Sequence, residues 1–280
     1  EQGAQIVEVN CGCPSPVVVG NGAGSALLEH ADKFWNFVEG LHSALGNKVA
    51  VKMRTGFFAE SEFEMLLEEL KNKDLARLTV HGRTRADRYL GKARWSRIAD
   101  ATNMLRAPVY GSGDVNDIES YEASLKIAPD VTGVFLGRGA LRNPWLFTEI
   151  RTKKRVHMAP KALKHAVETF AWIQELYEIN EAALIETVKQ GALSGYAEVE
   201  VDAWEKLSNH FHSLLKQQVG WEQLSRGSLS KLKMLWNYFR SSLPDAFFDA
   251  RFLRASQFSE FLNVFDEACR ALPEGNIELW

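Results

Sequence analysis

Several short stretches of this chain place chemically able side chains directly after β-rich runs. The first is Asn10-Cys11-Gly12-Cys13-Pro14, which follows the run Ile6–Asn10. A thiol held by a following proline at a strand end is placed to act as an acid or as a nucleophile. Two other roles suit the same residues. They could be half of a metal site, although no nearby histidine or second cysteine pair completes four ligands, or simply small buried hydrophobes. Just beyond, Gly20-Asn21-Gly22-Ala23-Gly24-Ser25 opens a helix, where backbone can approach an anion or a flat ligand closely. Lys52 and Arg54 fall on one side of a second run because strand side chains alternate. Bracketed by apolar Val51 and Met53, they read as a charged lining for an anionic or electron-rich ligand. His81-Gly82-Arg83-Thr84 ends a third run, and Gly111-Ser112-Gly113-Asp114 and Gly137-Arg138-Gly139-Ala140 end the fourth and fifth. Two glycine turns in succession, the second with a cation, suit a phosphate held by backbone N–H groups.

The elements that must position these residues are legible in the same text. Strands are predicted over Ile6–Asn10, Val49–Arg54, Arg77–Gly82, Pro108–Gly113 and Gly133–Gly137, with helical patterns near Ala31–Leu45, Ser61–Asn72, Trp95–Met104 and Asp117–Lys126. Strand alternating with helix means βαβ units and a parallel sheet, whose carboxyl ends carry the chemistry. After Pro144 strand signals stop and helical periodicity runs to about Leu272, which predicts an all-α second domain. Its helices are expected near Lys161–Glu178, Glu181–Gln190, Val199–Gln218, Ser228–Arg240 and Ser256–Ala271. The boundary is expected in the basic run RTKKRVHMAP, giving domains 1–150 and 151–280. Within the fourth of these helices Leu229, Leu232, Leu235, Trp236 and Phe239 form an apolar stripe. Arg226, Lys233 and Arg240 flank it at intervals of seven, and no acidic residue lies between Arg226 and Arg240. Such a ridge is either a solvated face or a contact for a phosphate backbone.

The 280 residues are 46% hydrophobic and 25% charged, the proportions of an ordinary globular protein. They exclude a collagenous repeat, a disordered tail and a disulfide-stapled miniprotein. No apolar run approaches the roughly 20 residues of a membrane-spanning helix. The net charge of −3 means that a polyanion would have to be held by local patches. Cys11, Cys13 and Cys269 are an odd set in a chain without a signal peptide, so a reducing compartment, the cytoplasm, is expected. Because the text starts at Glu1 and runs straight into a strand, the expectation is that it begins inside a longer sequence.

In their order and spacing, VEVNCGCP, AGSALL, VKMRTG, TVHGRTR, PVYGSGD and VFLGRGALRNPWLF resemble the tRNA-dihydrouridine synthases, flavoenzymes that reduce uridine in tRNA. The helical LSKLKMLWNYF is similar to that family's tRNA-binding helical domain. The resemblance implies an α/β fold, a (βα)8 TIM barrel here lacking about three N-terminal strands, followed by a helical bundle. It implies FMN as cofactor, NADPH as reductant and tRNA as partner, with no metal, no membrane and no stable protein partner. Residue by residue, Cys13 corresponds to the catalytic cysteine and Asn10 to the residue that helps hold the target base. Lys52 and His81 correspond to the lysine and histidine at the flavin. Ser112, Gly113 and Asp114 match one phosphate turn, and Gly137 and Arg138 the other. Arg54 and Arg83, with Arg226, Lys233 and Arg240, are expected on the tRNA side. Ser112 departs from the family's usual asparagine and loses one donor, and Pro16 stands where lysine is common. Two other readings use the same residues: an FMN barrel oxidoreductase acting on a free pyrimidine, and a non-catalytic tRNA-binding remnant. The ridge speaks against the first, since a free base needs no such surface.

Overall fold

The computed structural model describes residues 4–190, 201–272 and 277–278. The chain divides into two compact units, Glu1–Gly137 and Arg138–Trp280. In the first, β1 (Val7–Cys11), β2 (Val49–Arg54), β3 (Arg77–His81), β4 (Val109–Ser112) and β5 (Gly133–Phe135) lie side by side in sequence order, every pair parallel. The connections carry α1 (Pro16–Gly20), α2 (Ala31–Leu45), α3 (Phe63–Glu68), α4 (Trp95–Met104) and α5 (Ile118–Ile127). The sheet is therefore the βαβ layer expected from the alternation. Among the described residues β1 and β5 each pair with one neighbour, so those residues form an open layer.

Register divides the sheet into two unlike faces, because residues paired in a parallel ladder project to the same side. One face carries Val49, Val51, Met53, Leu78, Val80 and Val109, all at most 3% exposed. Helix α4 packs on it: a Cβ added at Gly111 would lie 2.3 Å from the Trp95 ring. The other face carries Glu8, Asn10, Lys52, Arg54, Arg77, Thr79, His81, Tyr110 and Ser112. Parallel strands usually read as near-continuous apolar runs because both faces are covered. A face this polar is built to hold something other than a hydrocarbon core.

The second unit contains α6 (Arg138–Arg142), α7 (Leu146–Thr152), α8 (Pro160–Lys189), α9 (Val201–Lys216), α10 (Arg226–Phe239), α11 (Arg251–Arg254) and α12 (Phe258–Arg270). It starts ahead of the basic run, whose first residues Arg151 and Thr152 end α7. The two helices expected over 161–190 run end to end as α8, broken at Asn180 (φ −155°, ψ 73°). Residues 199–200 of the helix expected over Val199–Gln218 lie outside the described residues. The unit is not wholly helical, a correction to the sequence expectation. β6 (His157–Met158) pairs antiparallel with β7 (Ile277–Glu278), and two residues are too few to show alternation. Its core centres on Trp236, 1% exposed, whose ring lies 4.7–6.1 Å from Phe239, Phe247, Phe252, Phe261 and Phe265. Among the described residues no helix is long and apolar enough to cross a membrane.

Candidate active site

The loop after β1 is organised around Asn10. Its Oδ1 accepts from the backbone N–H of Gly12 (3.0 Å) and Cys13 (3.1 Å), turning the chain at the strand end. The Cys13 carbonyl in turn accepts from Ser25 N (3.1 Å) and Ser25 Oγ (2.8 Å). Gly24, at φ +60°, has no room for a side chain, since a Cβ would lie 2.8 Å from Val18 Cγ1 and 3.0 Å from Cys13 Cβ. The glycine-rich stretch thus grips the thiol loop. The two thiols end in different surroundings. Cys11 lies in register with Met53, is fully buried, and burial pushes its thiol up to about 12. Cys13 is half-buried, and both thiols are free.

On β2, Lys52 is half-buried and its ammonium is drawn below the ordinary lysine range by desolvation, against which the Glu8 carboxylate works. Arg54 is only 3% exposed, and its donors go to its own chain: Nε to Gly12 O, Nη1 to Thr84 O and to Arg88 O, each at 2.8 Å. Arg83, 2% exposed, donates to Leu90 O at 3.1 Å and with Nη2 to both carboxylate oxygens of Asp114 at 2.8 and 2.6 Å. Both arginines, expected from the resemblance on the tRNA side, are buried in the first unit. As buried cations hydrogen-bonded within the chain, they hold the loops after β1, β3 and β4 to one another. His81 is pushed down to about 3, first by burial and then by Arg54, Lys52 and Arg83, so its imidazole is neutral at pH 7. His81 Nδ1 and Arg83 Nη1 are buried without a hydrogen-bond partner among the described residues.

The turn after β4 is fixed from two sides. Gly113 sits at φ +127°, and a Cβ there would strike Ala93 Cβ at 2.5 Å and lie 3.6 Å from His81 Nε2. Asp114, at φ +57°, accepts from Ala93 N at 2.7 Å, while Trp95 Nε1 donates to the Gly113 carbonyl at 3.0 Å. Ser112 pairs in register with His81 and is 8% exposed. Gly137 ends the first unit and Arg138 opens the second. A Cβ at Gly137 would meet nothing within 4 Å. Adjacent register positions and loop contacts therefore bring Asn10, Cys13, Lys52, His81, Ser112, Gly113 and Asp114 to one end of the sheet. The result is a half-exposed thiol beside a cationic surface with an unpartnered guanidinium N–H and an unpartnered imidazole nitrogen.

Sequence reasoning passed over Glu8, Arg77 and Thr79, which share this face. Glu8 Oε2 accepts from Arg77 Nε at 3.0 Å and from Thr79 Oγ1 at 3.3 Å. The period-two rule that singled out Lys52 applies to Glu8 as well, since Glu8 and Asn10 alternate with Val7 and Val9 along β1. In the second unit Arg226 is exposed at the start of α10, where the Ser225 hydroxyl caps the helix by accepting from Ser228 N. Arg240 is part-exposed, donates to Asn237 Oδ1 at 2.8 Å and lies 5.5 Å from the Phe248 ring centroid. Lys233 departs from the expected ridge, because its Nζ donates to the Ala255 carbonyl at the end of α11, at 3.0 Å.

Residues 1–212 match the family model described as dihydrouridine synthase (Dus). Over 175 residues, 55% of this chain and 23% of the relative, the chain is 36% identical to the tRNA-dihydrouridine(47) synthase of Malassezia globosa. It is 37% identical over 151 residues to a tRNA-dihydrouridine(47) synthase-like protein of Homo sapiens, covering 53% of this chain and 23% of that one. With the counterpart from Arabidopsis thaliana it shares 33% over 152 residues, 53% of this chain and 22% of the relative. The matches thus span about a quarter of the length of these curated relatives. Since the family match takes in well over half of its residues, this chain belongs to the dihydrouridine synthase family.

Proposed function

We propose that the chain carries the catalytic part of a cytoplasmic, FMN-dependent tRNA-dihydrouridine synthase that uses NADPH to reduce uridine to 5,6-dihydrouridine. In the barrel proposed for the whole protein, β1–β5 supply the last five strands. The observation that carries the reading is the half-exposed Cys13 beside the cationic surface at the carboxyl ends of β1–β4. The residues fit a flavin mononucleotide. The unpartnered Arg83 Nη1 calls for an acceptor and His81 Nδ1 for a hydrogen-bond partner, and at Gly137 the backbone has open space where a side chain would be. Lys52 and His81 would hold the ring, while Ser112, Gly113, Asp114, Gly137 and Arg138 would hold the phosphate. Bound there in its reduced form, FMN would supply hydride chemistry for reduction of the uracil C5–C6 bond.

The remaining steps fall to the chain. Cys13 donates its thiol proton to C5: the S–H bond breaks, the C5–H bond forms, and solvent returns a proton to the thiolate. Asn10, with Oδ1 committed to the loop, offers its amide N–H to a carbonyl of the base. Lys52 balances the negative charge that develops on the base as it is reduced. Neutral His81 contributes a hydrogen bond in place of a charge. The uridine must leave its stack to reach such a surface, and Arg226 and Arg240 in the tRNA-binding helical domain would hold the surrounding phosphates. The names of the relatives place their uridine at position 47, which is the position to examine first.

The test is to incubate the purified holoprotein with NADPH and unmodified tRNA, then map dihydrouridine. Flavin absorbance with new dihydrouridine at one position is the expected result. Reduction of free uracil without any effect on tRNA would overturn the tRNA reading, and the absence of flavin would overturn the enzyme reading.

A further inference from the structure

Below Lys52 the polar face of the sheet contains a second charged layer. Glu8, Ala50 and Arg77 form one lateral row across β1, β2 and β3, and Asn10, Lys52 and Thr79 form the next row toward the carboxyl ends. Glu8 and Arg77 stand two strands apart, about 10 Å at the usual strand spacing, with Ala50 between them. The methyl side chain of Ala50 lets them meet over its top, Arg77 Nε to Glu8 Oε2 at 3.0 Å. Thr79, from the Lys52 row, donates to the same carboxylate oxygen at 3.3 Å, which draws the carboxylate up toward that row. On its far side the Arg77 guanidinium lies 6.0 Å from the Tyr110 ring centroid and 5.4 Å from that of Phe135. The carboxylate, carried by β1, is thus held in one place by two side chains of β3.

We propose that Glu8 is a positioning residue for Lys52: its carboxylate, anchored across Ala50 by Arg77 and Thr79, supplies a fixed negative charge that keeps the Lys52 ammonium protonated and oriented. The proposal deepens the functional reading above, on which it rests, by naming what holds the lysine that would face the flavin. The groups that face Lys52 are Glu8 on β1, Cys13 on the loop after it, Arg54 on β2 and His81 on β3. Of these, Arg54 opposes the charge on the ammonium, whereas Glu8 is the foremost group favouring it and stands against the desolvation that draws the amine down. Neutral His81 adds no opposing charge. Without Glu8, burial and Arg54 would leave an amine that loses its proton more easily.

The experiment titrates Lys52 directly in the full chain without flavin, by competitive acetylation across pH, read by mass spectrometry on the Lys52-containing peptide released by a protease that does not cut at lysine. Removing one partner of a buried ion pair can unfold a protein, whereas removing both is better tolerated. The decisive comparison is therefore Arg77→Met against the double variant Glu8→Gln/Arg77→Met, with Glu8→Gln as the third arm where it folds. The Lys52 midpoint should fall by about one pH unit when the carboxylate is removed and should not fall in Arg77→Met alone. Equal midpoints in Arg77→Met and the double variant would overturn the proposal, whatever the flavin does. A titration of the same variants with FMN separates the two ideas. A shifted Lys52 midpoint with unchanged FMN affinity would support the hold of Glu8 on Lys52 and remove Lys52 from the flavin site.

Discussion

Cys11 and Cys13 have the same chemistry and lie two positions apart, yet the strand ends between them and their surroundings diverge. Cys11 is sealed against the apolar face with its thiol raised to about 12, while Cys13 sits in a loop that Asn10 and Ser25 hold in place. Cys13→Ala should therefore leave flavin bound and abolish most uridine reduction, measured as dihydrouridine formed per flavin. Cys11→Ala should keep most activity and lose about 1 kcal/mol of stability through the small cavity it leaves. Comparable activity losses in the two variants would show that the wrong thiol has been chosen. His81 gives a pH signature. It stays neutral down to about pH 3 in the fold, whereas an unfolded imidazole takes its proton near 6.5. Between those values the unfolded chain binds the extra proton, so its contribution is complete above 6.5 and fades as pH falls toward 3. Urea midpoints at pH 7 and pH 5 should differ less in His81→Asn than in the parent. Cys13, Lys52 and His81 were legible because polar side chains at the ends of apolar runs stand out. The burial of Arg54 and Arg83 was not legible because a sequence shows a charge and not the carbonyls and carboxylate that surround it.

At the scale of elements, glycine and asparagine do the specific work. Gly111 belongs to β4, and the Trp95 ring lies where its side chain would be. Trp95 also donates to the Gly113 carbonyl, so helix α4 and the turn beside His81 are fixed by one indole. Gly111→Ala forces the ring or the strand to move, at about 1–3 kcal/mol as for other overpacked cores. FMN affinity should weaken with it, and denaturation together with flavin titration reads both. Asn180 breaks α8 and starts its second half: Oδ1 accepts from Ala183 N and Nδ2 donates to Gln218 Oε1, both at 3.1 Å. Asn180→Ala should cost about 1 kcal/mol, the usual loss of a helix N-cap, seen as a lower urea midpoint. The strands and most of the helices could be placed within a few residues from sequence because their signals, alternation and helical periodicity, are local. The β6–β7 pair joins residues more than a hundred positions apart through two residues each, and nothing local announces it.

At the scale of the molecule, a net charge of −3 gives a polyanion no general attraction, so the tRNA of the proposed function would have to be held where cations are exposed. The sequence spacing put Arg226, Lys233 and Arg240 on one ridge, but their surroundings sort them. Arg226 is exposed, Arg240 is part-exposed with a neutral amide and an aromatic ring beside it, and Lys233 closes the end of α11 through the Ala255 carbonyl. The three substitutions should then separate into two kinds of effect. Arg226→Glu and Arg240→Glu should each weaken tRNA binding and flatten its dependence on salt, by about 0.9 in the log–log slope for each duplex phosphate that is no longer neutralised. Lys233→Met should lower thermal stability while leaving that slope near the parent value, because what it removes is a hydrogen bond inside the unit. Filter binding of tRNA across a salt series, with flavin absorbance as the check on the first unit, distinguishes the cases. If Lys233→Met flattens the slope and Arg226→Glu and Arg240→Glu do not, the surface that meets the phosphates lies on a different face of the protein from the one that α10 presents.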